Sequence, residues 1–376
     1  MPDEHCVRAA LNRGAMQLMK IAFLESESAD TAFFEDKFPG DEVSFPGSID
    51  EVPEDTEILS TFIGSRIDEA FLKAHPSLLF IATRSATNDH IDMESCARHG
   101  VGTCHVASYG HHIVAEHVFA LLLALTRRLR EAMRPNERAF YYEALRGTEL
   151  HGKTFGLLGA GRIGRYAGAL ARAFGMEVIA YDTGPEAGRD ATITYVELDE
   201  LLGRSDVLSL HVPLNSETFE ILNAATLAKC KRGVYIINTA RGELVDTAAL
   251  LAALEQGAVE GAGLDVVEVE EVLRHGAPGI MRNQILAHVH GDLPAGEAGR
   301  TGQIGKLMVI GKLMELPNVV YSPHIAFNCV ESIDRIHEAT VASIRAFILK
   351  RQKRAAKRSE LPLQLRDAPR PCLLAK

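Results

Sequence analysis

Short apolar runs recur along this chain, alternating with longer stretches in which apolar residues return every three or four positions. The runs at 20–24, 57–61, 78–83 and 102–106 read as a first series of buried strands. The stretch 111–130 that follows is apolar on more than one face, which predicts a helix buried under a domain or across a subunit interface. A second series of strands is predicted at 155–158, 177–181, 206–210, 234–238, 261–266 and 319–322. Helices predicted at 163–174, 224–229 and 247–256 are followed by Gly175, Gly233 and Gly257, the residue type that ends helices most readily. This alternation predicts an α/β protein with parallel sheets, and the six strands of the second series predict a doubly wound Rossmann domain. The last helical stretch, 331–349, has no strand left to feed and is expected to return to the first domain. The expected fold is two Rossmann-like doubly wound parallel-sheet domains, one inserted into the other: 19–108 plus 328–350, and 109–327. Residues 1–18 and 351–376 read as disordered extensions.

Composition narrows the class. With 376 residues the chain can build two substantial cores, and a net charge of −10 argues against nucleic acid as the main partner. The six cysteines form no C-x-x-C pair, so reduced thiols in a cytoplasmic protein are expected. The greasiest stretch, 113–125, contains Glu116 and His117 and is too short to span a bilayer; no membrane association and no signal peptide are expected. From Lys350 on, nine basic residues face only Glu360 and Asp367, which reads as a solvated tail in preference to an anion-binding arm.

The chemistry begins at Gly159-Ala160-Gly161-Arg162-Ile163-Gly164, which has a strand before it and a helix after it. Gly159 permits the tight turn, Gly161 lets backbone approach a pyrophosphate, and Gly164 lets helix pack on strand. Asp182 ends the next strand, where a carboxylate accepts the adenine ribose hydroxyls and repels a 2′-phosphate, so NAD is the expected cofactor. His211, Arg241, Glu270 and His324 also fall at or just past strand ends, where ligands bind in such folds.

Several segments in order resemble the D-isomer-specific 2-hydroxyacid dehydrogenases. They are Asp89-His90-Ile91-Asp92, Val114-Ala115-Glu116-His117, the fingerprint with Asp182, and His211-Val212-Pro213-Leu214. Farther on come the run from Ile237 to Asp246, Gly263-Leu264-Asp265-Val266, and Ser322-Pro323-His324. The resemblance covers residues 19–349 and implies a homodimer that interconverts a small 2-oxo acid and its D-2-hydroxy acid, pyruvate and D-lactate or a similar pair. Beyond the fingerprint and Asp182 it places His211, Val212, Pro213, Thr218, Thr239, Ala240, Arg241, Asp265, His324 and Ala326 around the cofactor.

By the same resemblance Arg241 binds the substrate carboxylate and carbonyl, a task for which its planar fork and permanent charge suit it. His324 is the general acid in reduction and the base in reverse. Glu270 is its carboxylate partner, which fixes the tautomer and favours imidazolium. Glu268 competes for that role, but the offset of Glu270 from Asp265 matches the family motif. Substrate contacts are expected from Ala86 and Thr87, in the amide-bearing loop 84–88, and from Tyr109 and Phe327, which could equally be packing residues. Thr87 stands where relatives commonly carry glycine.

The stretch 272–316 reads as an insertion that ends in a helix at 304–316, closing over the cleft or extending a dimer interface. Its His288-Val289-His290-Gly291-Asp292 could hold a metal, but none is expected, since the family uses none. A second reading in a different class is an NAD-sensing binding protein like the corepressors built on this fold, which keep the same triad.

Overall fold

The computed structural model describes residues 18–106, 110–133, 142–184, 190–270 and 298–359. Tyr109, the outermost ends and most of the insertion, with its histidines, lie outside them. The chain divides into two units, residues 1–109 with 330–376, and residues 110–329.

The first unit opens with β1 (Lys20–Phe23), α1 (Ser28–Lys37), β2 (Glu42–Ser44) and β3 (Ile58–Thr61). It continues with α2 (Glu69–Ala74), β4 (Phe80–Thr83), α3 (Met93–His99) and β5 (Gly102–His105). Asp68 and Asp92 cap α2 and α3 by accepting N–H bonds from their first turns, which is why those helices start where they do. All five strands are parallel, in the order β2-β1-β3-β4-β5. The central strands β3 and β4 are buried along their whole length, as a sheet covered on both faces requires.

The second unit begins with α4 (His111–Thr126) and α5 (Leu129–Ala132). The predicted single helix breaks at Arg128, whose φ of +51° is left-handed. Then come β6 (Thr154–Leu158), α6 (Arg162–Ala173), β7 (Glu177–Tyr181), β8 (Thr194–Tyr195), α7 (Leu198–Arg204) and β9 (Val207–Leu210). The unit closes with α8 (Ala224–Leu227), β10 (Val234–Asn238), α9 (Thr247–Glu255), β11 (Val259–Leu264), α10 (Ala298–Glu315) and β12 (Val319–Tyr321). Its seven parallel strands run β12-β11-β10-β9-β6-β7-β8. The order reverses between β6 and β9, which places the ends of those two strands at the topological switch point where such sheets bind dinucleotides. Helix α4 buries Ile113, Val114, Val118, Phe119, Leu121 and Leu122, and packs on α6 and the sheet, so the expectation of a buried greasy helix holds within this unit.

Helix α11 (Val330–Ser359) belongs to the first unit, where Phe347 stacks on Phe80 at 4.5 Å and Val341 and Ile344 enter the core. It runs beyond the predicted end at 349, so the reading of disorder from 351 on is corrected as far as Ser359. The segment is rich in Lys, Arg, Gln and Ala, all strong helix formers, and contains no Gly or Pro to stop the helix. Two edge strands, β2 and β8, were not predicted. They are two or three residues long and too polar to show an apolar run. Among the described residues no helix is long and apolar enough to cross a membrane.

Candidate active site

The fingerprint lies in the turn from β6 into α6. Gly159 has φ +97°, and a Cβ there would sit 2.9 Å from the carbonyl carbon and oxygen of His211, so both backbone conformation and space demand glycine. A Cβ on Gly164 would meet the Gly159 carbonyl oxygen at 2.3 Å, while the equivalent point on Gly161 opens onto space with nothing within 4 Å. The N-terminus of α6 therefore presents backbone N–H groups and the positive end of its dipole beside an uncrowded glycine.

Asp182, just after β7, accepts from Ala160 N–H at 2.6 Å and Gly184 N–H at 2.7 Å, which pins its carboxylate against the fingerprint. His211 follows β9, its N–H bonded to Leu158 O at 2.8 Å and its ring to Ser209 Oγ at 2.9 Å. Burial pushes that imidazole down to about 4, so it is neutral at ordinary pH. In the loop after Val212 and Pro213, Thr218 donates its hydroxyl to Pro213 O at 2.6 Å and accepts from Asn215 N–H at 2.9 Å, so this hydroxyl closes the loop.

After β10, the Asn238 amide donates to Arg241 O at 2.7 Å and accepts from Ala240 N–H at 3.0 Å, which shapes the turn that carries Thr239, Ala240 and Arg241. Sequence reading passed over Asn238, although an asparagine closing a strand is a known turn-former. Arg241 Nη1 donates to Ala240 O at 2.7 Å. Thr239 Oγ1 is buried with no hydrogen-bond partner among the described residues, an orphan of the kind a ligand satisfies. The helix terminus, the open space at Gly161, the Asp182 carboxylate and the Thr239 hydroxyl together fit a dinucleotide.

The other half of the site is built on β11 and β12. Asp265 is wholly buried and accepts from Ser322 Oγ at 2.6 Å and from the N–H groups of Ile325 and Ala326, both at 2.9 Å. Burial alone would raise its carboxyl, but the His117 ring, the Ser322 hydroxyl and those two amides outweigh it and hold the group below the ordinary carboxylate range. The turn they organise carries His324 at φ +54°. His324 Nδ1 lies 2.8 Å from Glu270 Oε2, and Glu270 Oε1 accepts Val267 N–H at 3.0 Å. The Phe327 ring stands edge-on to His324 at 6.5 Å.

Glu268 is placed differently. Its side chain is buried, accepting from Thr247 Oγ1 at 2.7 Å and paired with Lys306 on α10. The two glutamates have thus separated, one onto the histidine and one into a structural clamp. Lys306 left no signal in the sequence, because its partner is far away along the chain. Gly242 joins the two halves, since a Cβ there would lie 2.0 Å from Val267 C and 2.4 Å from Glu268 N. The Arg241 turn therefore rests directly on the peptide that leads to Glu270.

In the first unit the loop after β4 is tied down by its own side chains. Arg84 is buried and donates to Leu24 O at 2.6 Å, Glu25 O at 2.7 Å and Ser60 Oγ at 3.1 Å, and burial lowers its guanidinium to about 10. Ser85 shares hydrogen bonds with Thr83 Oγ1 and Thr87 O, and Thr87 Oγ1 donates to Asp89 at 3.0 Å. The loop around Ala86 and Thr87 is held in one shape by these bonds.

Comparison with known proteins identifies the family. Residues 119–326 match the D-isomer specific 2-hydroxyacid dehydrogenase, NAD binding domain. The chain is 40% identical over 225 residues to 2-hydroxyacid dehydrogenase homolog 1 of Schizosaccharomyces pombe, covering 58% of this chain and 68% of that protein. Among solved structures it resembles D-lactate dehydrogenase from Aquifex aeolicus, complexed with NAD and lactic acid, at 32% identity and a TM-score of 0.72, over 89% of this chain and 97% of that one. It also resembles the pyruvate reductase of Chlamydomonas reinhardtii, at 29% identity and a TM-score of 0.75, over 89% and 98% of the two chains. With its fingerprint, its two parallel sheets and a family match across most of the second unit, the chain belongs to the NAD-binding D-isomer specific 2-hydroxyacid dehydrogenase family.

Proposed function

We propose that this enzyme interconverts a small 2-oxo acid and its D-2-hydroxy acid, with pyruvate and D-lactate, or a pair of similar size, as substrates. The observation that carries this reading is the 2.8 Å contact between His324 Nδ1 and Glu270 Oε2. With Nδ1 against a carboxylate that favours imidazolium, Nε2 is in this reading the nitrogen that exchanges the proton with substrate. The lactate and pyruvate chemistry named for the two structural neighbours supports the choice of substrate size.

When bound, NADH supplies a hydride to the carbonyl carbon of the 2-oxo acid. His324 delivers its proton to the carbonyl oxygen, so that the 2-oxo acid, having gained one hydride and one proton, leaves as the hydroxy acid, and the ring regains its proton from solvent. Arg241 binds the carboxylate through its fork and draws charge from the carbonyl. Asp182 holds the adenine ribose, and His211, Thr218 and Thr239, with the backbone of Val212, Pro213, Ala240 and Ala326, line the cofactor. Substrate contacts by Ala86, Thr87 and Phe327, and homodimeric assembly, are parts of the same proposal.

The test is a panel of pyruvate, glyoxylate, hydroxypyruvate and longer 2-oxo acids, followed by loss of NADH absorbance with the chirality of the product assigned. Reduction to a D-product is the expected result. A protein that binds NADH but reduces none of them would be acting as an NAD-sensing binding protein instead.

A further inference from the structure

The motif at 114–117 has no role in the proposal above, yet its histidine reaches the site. His117 lies on α4, and its Nε2 is 2.8 Å from Ser322 Oγ and 3.3 Å from Asp265 Oδ1. Counting hydrogens assigns the roles. The ionised Asp265 can only accept. Ser322 has a single hydroxyl hydrogen, and at 2.6 Å it goes to Asp265 Oδ1. The hydrogen between His117 and Ser322 must therefore belong to Nε2, which fixes the tautomer of His117. The carboxylate they secure also accepts Ile325 N–H and Ala326 N–H, while the backbone carbonyl of Asp265 accepts His324 N–H at 2.7 Å. These bonds hold His324 at φ +54°, a left-handed conformation that a residue with a Cβ adopts at a cost of about 1–2 kcal/mol.

We propose that His117 is a positioning residue, whose Nε2–H, shared by Ser322 Oγ and Asp265 Oδ1, holds the 322–326 turn in the geometry that presents the His324 ring. The proposal rests on the reading of His324 as the acid. A residue that touches neither substrate nor cofactor can matter this much because small misplacements of a reacting group are costly.

Three variants test it. His117→Leu keeps the volume but removes the donor, and His117→Gln places an amide N–H near the position of Nε2. Ser322→Ala removes only the hydroxyl between them, in case the leucine variant does not fold. His117→Leu and Ser322→Ala are expected to lose on the order of 10²-fold in kcat, with KM for the 2-oxo acid changing much less. His117→Gln is expected to recover most of the loss. The ring resonances of His324, read from isotope-labelled histidine without any substrate, should move in His117→Leu and Ser322→Ala and stay in place in His117→Gln. Wild-type kcat with unmoved resonances in both donor-deleted variants would overturn the proposal. So would equal damage in His117→Gln and His117→Leu, which would make ring shape the determinant. If wild type reduces no 2-oxo acid, the functional reading falls, while the His324 resonances still decide whether His117 holds the turn.

Discussion

At the scale of single residues, neighbouring side chains of one type take different tasks according to what they touch. Glu270 meets His324, and Glu268 is buried against Thr247 and Lys306. Glu270→Gln should therefore lower kcat/KM by about 10²–10⁴-fold, the range for general acid–base assistance, with little change in Tm. Glu268→Gln should cost about 1–3 kcal/mol of stability, since a buried acceptor loses charge-assisted bonds. Measuring kcat/KM and Tm for both variants checks this, and the opposite pattern would exchange the two roles. Arg241→Lys keeps the charge but loses the bidentate fork, so kcat/KM should fall by about 2–5 kcal/mol while NADH affinity holds. Normal turnover would place the carboxylate anchor elsewhere. With Asp182 proposed to hold the adenine ribose, Asp182→Ala should weaken NADH binding and narrow its advantage over NADPH, since a carboxylate in that place disfavours a 2′-phosphate. An unchanged cofactor ratio would reject that role.

At the scale of elements, the site depends on how tightly the strand-end turns pack on one another. The Val267–Glu268 peptide occupies the space a Cβ on Gly242 would need, and backbone yields far less readily than a side-chain tip. Gly242→Ala should therefore cost about 1–3 kcal/mol, as overpacking does, and also slow turnover, because the displaced peptide leads to Glu270. A variant with wild-type Tm and turnover would show that the turn has room to adjust. Much of this level was legible in the sequence, for a definite reason. Buried parallel strands are apolar throughout, so the runs around 155–158, 206–210 and 234–238 stood out, and the polar residues after them marked the strand ends where ligands bind. The edge strands β2 and β8 were not legible, because an edge strand needs no apolar run. The break at Arg128 was missed because the surrounding residues are good helix formers and tertiary context overrides them, whereas the continuation of α11 was missed because its run of charge was read as solvated tail despite high helix propensity. Pairings such as Lys306 with Glu268, or His117 with Ser322, join residues far apart in the chain, and no local pattern encodes them.

At the scale of the whole molecule, each unit holds a histidine that resists protonation. In the second unit burial brings His211 down to about 4. In the first, His337 packs against Phe33 and Phe34 beside Asp30, and burial lowers it, joined by Arg84, while Asp30 and Asp334 pull the other way. A histidine whose folded pKa lies below its unfolded value of about 6.5 contributes stability that is fully present above that value. As pH falls the unfolded chain takes up the proton and the folded chain does not, so stability is lost from about 6.5 downward, for His211 until about 4. For His211 the loss is at most about 3.5 kcal/mol at roughly 1.4 kcal/mol per pH unit, an upper bound because part of the residue remains accessible. Asp265 acts in the same direction at lower pH, since its carboxyl is held below the ordinary range. Tm of the unliganded protein should therefore decline from pH 7 to pH 5, and His211→Gln should flatten part of that decline by removing the proton site. A further loss of slope is expected when His337→Gln is added. A wild-type Tm that stays level over this range, or a slope that neither substitution changes, would mean that the two rings protonate as readily in the folded chain as in the unfolded one.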